Sequence, residues 1–333
     1  MSTSNPPKID GHVHLVGNGR SGSGCWMRMS GWHRIMGEMM RRSIGMPVGV
    51  KDPEFDRIYV ERILQHVRES SLDHALLLAQ DEVYSPDGRK RNFGSFYVPN
   101  EYLFEVCEKH PEFLPAASVH PSRPDALEEL DRCLNRGARA LKLLPNCHDV
   151  HCSNPRYDRF WERMAEAELP LLAHTGGEMT VPVANVAYED PRTLRRPLEI
   201  GVKVIAAHCA SNSGFGDPNY FGELEKMMHQ FPNLYADTSA LNTPMRSGTL
   251  RHALHSVHAD RLLHGSDFPV PIGTWYAWLH GLIDHDDRRQ AARIENLLER
   301  DYFLKRMAGF EETHFTQISK VLRPIRESRR QGG

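Results

Sequence analysis

Eight short, continuous apolar runs alternate with helix-forming stretches along the chain, at 9–15, 74–80, 113–120, 138–144, 170–174, 202–208, 234–239 and 261–267. A strand that is apolar without alternation is buried on both faces, as in a parallel sheet. The stretches between them carry helical periodicity instead. Phe55, Ile58, Ile63, Leu64 and Val67 form one such stripe within 54–70. The helix expected at 124–136 opens on Pro124 and is followed by Gly137. Eight βα units predict an α/β fold closed into a (β/α)8 TIM barrel. An open, doubly wound sheet is the alternative. Against it, Gly17, Gly19, Gly22 and Gly24 after the first run do not lead tightly into a helix, as a nucleotide-binding fingerprint would.

The length of 333 residues suits one barrel domain spanning 1–333, with terminal helices from about 285. The stretch Gly17–Val50 is a long insertion after the first strand, with a helix expected near 32–42. Its Met36, Met39, Met40 and Met46, around Trp26 and Trp32, suit either an adaptable lid over a substrate or a packed excursion at the barrel mouth. A net charge of −2 gives no pull toward nucleic acid or an anionic membrane. No run approaches the roughly 18 apolar residues of a membrane span. The start, Met1–Pro7, lacks the basic and apolar regions of a secretory signal. The six cysteines form no CxxC pair, so free thiols and a cytoplasmic location are expected. The partner expected is a small molecule, with a homo-oligomer as the default assembly.

In a βα barrel, chemistry sits at the C-terminal ends of the strands. The first strand carries His12 and His14, two residues apart and therefore on one face. The fourth carries Lys142 between Leu141 and Leu143, the fifth ends at His174, the sixth at His208 and the eighth at Asp267. Polar groups inside apolar runs are costly unless paired or bound to metal. One His-x-His pair would arise by chance in a chain with 19 histidines; the ordered set is what carries weight. Glu178, His148 and Trp32 are the candidates for contacting substrate. Asp10 and Asp237 are candidates for orienting a ligand imidazole.

This ordered set, together with Gly265-Ser266-Asp267-Phe268-Pro269, resembles the amidohydrolase superfamily, in particular its amidohydrolase-related TIM-barrel metal-dependent hydrolases. The resemblance covers about 9–271. It implies that His12, His14, His174 and Asp267 bind a divalent metal, zinc by preference, with His208 as a second-metal ligand or a group that positions the reacting atoms. It implies one or two ions, Lys142 being carboxylated and bridging in the second case. The implied reaction is hydrolysis of an amide, ester or lactone by a metal-activated water, with Asp267 as general base and His208 at the developing oxyanion. Some relatives decarboxylate aromatic or unsaturated acids with the same shell. A non-catalytic metal-binding barrel is the alternative from another class. Asp267 argues against it, because closed structural zinc sites favour cysteine.

Overall fold

The computed structural model describes residues 5–324. Its main sheet runs through β1 (Ile9–His14), β2 (His74–Leu78), β3 (Phe113–Ala117), β4 (Ala140–Leu143), β5 (Leu171–Ala173), β6 (Val204–Ala206), β7 (Leu234–Asp237) and β8 (Leu262–Leu263). These eight strands follow one another in sequence order and pair in parallel. Closure between β8 and β1 uses irregular backbone bonds rather than a ladder. Gly11 N donates to His264 O (3.0 Å), Asp267 N to His12 O (2.9 Å) and His14 N to Phe268 O (2.8 Å). The eighth apolar run, expected as a strand over 261–267, therefore contributes a ladder of two residues. Its remainder turns to meet β1.

Side chains alternate across the strands as the pleat requires. Leu76, Leu78, Ala140, Leu172, Ile205 and Leu263 fill the barrel interior. Val13, Leu77, Leu141, Leu143, Leu171 and Ala173 face the surrounding helices. Ile318, Val321 and Leu322, beyond the terminal helices, pack into the interior cluster. Gly11 is needed there, because a Cβ would lie 2.3 Å from Ile318 Cδ1 and 2.9 Å from His264 O. The terminal helices expected around 289–306 are His285–Arg293 and Leu297–Ala308. Asn296 separates them by capping the second, accepting from the N–H groups of Leu298 and Glu299.

The insertion after β1 carries helix α1 (Gly31–Ser43), none of whose residues is buried. The base of the insertion is tied down. The Asp56 carboxylate accepts from the backbone of Asn18 (2.6 Å) and Gly19 (3.2 Å) and from the hydroxyls of Ser21 and Ser23. A two-stranded antiparallel ribbon joins Trp26–Met27 to Phe96–Tyr97, in the loop after β2. That ribbon was not legible in the sequence, since two-residue strands carry no periodicity. No helix among the described residues is long and apolar enough to cross a membrane.

Candidate metal centre

Four imidazoles form a contiguous row at the C-terminal end of the barrel. Ring centroids are 5.2 Å apart for His14 and His12, 5.0 Å for His12 and His208, and 5.0 Å for His208 and His174. The pleat puts His12 and His14 on the interior face, with Val13 outward. His12 is the most constrained. Its Nδ1 lies 2.8 Å from Asp237 Oδ2 and 3.1 Å from Ser239 Oγ. A carboxylate there accepts a hydrogen bond from Nδ1–H, which keeps the proton on Nδ1 and leaves the Nε2 lone pair facing the site. Around that Nε2 stand Lys142 Nζ at 3.1 Å and Asp267 Oδ1 at 3.3 Å. Asp267 Oδ1 also lies 3.2 Å from His14 Nε2. Tyr59, buried on the helix Phe55–Arg68, donates to His14 O at 2.8 Å and fixes the end of β1.

The strand ends that present His208 and Asp267 are strained. His208, Cys209 and Ala210 have φ of 58°, 51° and 52°, and Asp267 has φ of 69°. Non-glycine residues hold this left-handed region only when neighbours over-determine it. At β6, Asp237 Oδ1 accepts from His208 N (2.8 Å), Ser239 Oγ lies 2.8 Å from His208 Nδ1, and Arg246 donates to Ser211 O (2.8 Å). At β8, Asp10 Oδ1 accepts from Ser266 N (2.9 Å) and from His12 N (3.0 Å).

Burial sets the protonation states. It pushes His174 down to about 4 and holds His12 and His208 well below the ordinary imidazole range. All three are therefore neutral at pH 7, the form that can ligate a cation. Burial also pushes the Lys142 amine down to about 8, against the pull of Asp267 and Asp237. Burial alone would raise the Glu178 carboxyl. His174 and the donors of Thr180 outweigh it and bring the group below its usual value.

The donors fit a divalent cation. His12, His14 and Asp267 offer ligand atoms within 4.8 Å of one another, and so do His12, His208 and Asp237. His174 Nε2 is buried with no hydrogen-bond partner, and Glu178 Oε2 lies 3.6 Å from it. A buried polar atom left without a partner is costly, and a cation would satisfy this one. Neutral imidazole nitrogens with one carboxylate are the donor set of zinc and similar ions.

An amidohydrolase family model matches residues 9–296. The chain belongs to the amidohydrolase family. No curated protein matches it. Among solved structures it is similar to an uncharacterised TIM-barrel protein of Bordetella bronchiseptica, at TM-score 0.56 and 17% identity over 91% of this chain and 99% of that one. It is also similar to a 5-carboxyvanillate decarboxylase of Sphingomonas paucimobilis (TM-score 0.52, 12% identity, 92% and 100% covered). A probable 2-pyrone-4,6-dicarboxylic acid hydrolase of Acinetobacter baumannii gives 0.51, 13%, 92% and 97%. Both a decarboxylase and a hydrolase thus share the fold.

In this member of the family His14, His174 and His208, with Lys142, Glu178 and Asp267, line a chamber of about 950 Å³, measured out to its open mouth. Four methionines, Met27, Met29, Met40 and Met46, line it with Val16, Phe55, Tyr59 and Phe96. The face of α1 bearing His33, Gly37, Met40 and Arg41 forms part of the wall. Two residues expected to contact substrate lie elsewhere. Trp32 is 52% exposed on another side of α1, outside the chamber lining. His148 is wholly buried, its Nε2 3.0 Å from Gln80 Nε2, and borders a smaller neighbouring cavity. Both face away because α1 and the turn Pro145–His148 each present a different side to the chamber. Arg246 escaped the sequence reading. It is buried, and donates to Gly177 O (2.6 Å) and Ser211 O (2.8 Å), so it ties the loop after β5 to the loop after β6. Its stretch, Thr243-Pro244-Met245-Arg246, has no local signal of burial.

Proposed function

We propose that this chain is a metal-dependent hydrolase that cleaves an amide, ester or lactone bond of a small, largely apolar molecule. The observation that carries the reading is the place of Asp267. One carboxylate oxygen sits 3.2 and 3.3 Å from the Nε2 atoms of His14 and His12, and the residue forms part of the chamber wall. His12, His14, His174 and Asp267 would hold the cation, with zinc the first choice. A bound divalent ion supplies Lewis acidity, polarising a substrate oxygen and making water more acidic. Asp267 takes the proton of the attacking water and returns it to the leaving group. Asp237 and Ser239 keep the His12 ring turned toward the site. His208 faces the developing charge on the substrate oxygen. The apolar walls excludes water from the bond being broken and accept an apolar substituent. Lys142, with its amine near neutrality, is the residue that would be carboxylated to hold a second ion.

A second reading, decarboxylation of an aromatic or unsaturated acid, is favoured by Lys142 itself. An unmodified buried amine on the chamber wall is a partner for a substrate carboxylate. The two reactions separate in one assay. Zinc-loaded protein is offered chromogenic esters, anilides and lactones while acid release is followed, and aromatic acids while CO2 is followed. Acid release that disappears in Asp267→Asn supports hydrolysis. CO2 release without hydrolysis shifts the assignment to decarboxylation. Metal uptake with neither product over a broad panel indicates a non-catalytic barrel.

A further inference from the structure

A buried ion pair lies behind the site, on a helix that reaches neither chamber nor solvent at that point. Asp301 and Lys305 are one turn apart on Leu297–Ala308, and both are fully buried. Lys305 Nζ donates to Asp301 Oδ2 and, at 2.8 Å, to Gly265 O. Asp301 Oδ1 accepts from Asn242 Nδ2 at 2.7 Å. Such a pair has no stability rationale of its own, because replacing a buried ion pair with apolar residues of similar volume is commonly neutral or stabilising.

What the pair reaches is specific. Gly265 stands two residues before Asp267 and directly under His12: a Cβ there would lie 2.8 Å from His12 Cβ and 3.2 Å from Ser239 Cβ. The β8 ladder ends at Leu263, so separate bonds hold the segment from Gly265 to Asp267. Ser266 N donates to Asp10 (2.9 Å), Ser266 O accepts from Ala240 N (3.2 Å), and Asp267 N donates to His12 O (2.9 Å). Asp267 O accepts from Val270 N (2.9 Å), and Lys305 supplies the bond to the Gly265 carbonyl. Asn242, in the loop after β7, brings a third strand end onto the same pair.

We propose that Lys305, held in place by Asp301, is a positioning residue that fixes the Gly265 carbonyl and, through it, the Asp267 carboxylate against His12 and His14. The inference rests on the metal-dependent reading of that site. It is tested with Asp301→Leu/Lys305→Met, an apolar pair of similar bulk, beside the single variant Lys305→Met. The single variant leaves a carboxylate buried without its partner and melts well below wild type. The double variant leaves no buried charge unpaired and melts above the single one, below wild type only by the cost of the bonds lost at Gly265 O and Asn242 Nδ2, yet its affinity for cobalt(II), used as the probe metal, falls about tenfold or more. In its crystal structure Asp267 Oδ1 no longer sits 3.2 Å from His14 Nε2. An unchanged cobalt affinity and absorption spectrum overturns the proposal. So does a double variant that melts as low as the single one, since the pair is then structural. If wild type takes up no cobalt, the metal reading fails, and the position of Asp267 in the double variant still decides the proposal.

Discussion

At the scale of single residues, the orientation of His12 depends on Asp237. The carboxylate accepts from Nδ1 and leaves Nε2 to the site, while its other oxygen holds the His208 backbone. Asp237→Asn keeps the shape but allows the amide nitrogen to face the ring, which favours the wrong tautomer. The expected cost is a 10- to 100-fold loss of zinc affinity, of the order seen for groups that support metal ligands. Competition with a chromogenic chelator measures it; an unchanged affinity would mean that His12 is not oriented from this side. Gly176 is a second sensitive position. It has φ of +73°, and a Cβ would lie 2.1 Å from Ser211 O. Gly176→Ala is expected to destabilise by about 1–3 kcal/mol through the dihedral angle alone, more with the clash. Urea unfolding reads this directly, and a variant as stable as wild type would contradict the geometry.

Among the elements, α1 is where function and stability part company. It buries no residue fully, yet one of its faces lines the chamber. A charge on that face is therefore expected to damage substrate binding without disturbing the metal ligands. Met40→Asp should raise KM for apolar substrates at least tenfold while metal content stays at the wild-type level. Loss of metal together with activity would place α1 closer to the ligands than the structure does. The elements also show what local sequence can and cannot carry. The barrel strands were legible because an apolar run of five to eight residues has few other uses. The end of β8 was not, since Gly265–Asp267 is held by Asp10, Lys305 and the backbone of His12, all distant in sequence. Lys142, His174 and Asp267 could be singled out because Lys142 interrupts an apolar run and the other two stand at the ends of expected strands. Arg246 and Lys305 could not, because their burial comes from packing against remote loops and strands.

Across the whole molecule, the balance of buried ionisable groups sets the response to acid. Burial lowers the pKa of His120 to about 4 and of His314 to about 3, and lowers His12, His66, His148, His174, His208 and His264 as well. A group whose folded pKa is depressed is protonated first in the unfolded chain. Each such histidine therefore withdraws stability as pH falls from about 6.5 toward its folded value, by about 1.4 kcal/mol per pH unit. Asp10 and Asp81, raised to about 6 by burial, Glu189, raised to about 7, and Asp301, also raised by burial, act in the opposite direction but are outnumbered by the eight histidines. The urea midpoint should fall steeply between pH 6.5 and pH 5; a flat profile would mean that these histidines take up protons while folded.

The central claim, that His12, His14, His174 and Asp267 hold a catalytic divalent cation, is tested most directly by elemental analysis of protein purified without chelators. Wild type and the variants His14→Ala and Asp267→Ala are compared with their melting curves. The expected result is at least one zinc or similar ion per wild-type chain. Both variants should lose it while retaining a cooperative melt. No bound ion in wild type, even after zinc and manganese are supplied, would contradict the claim.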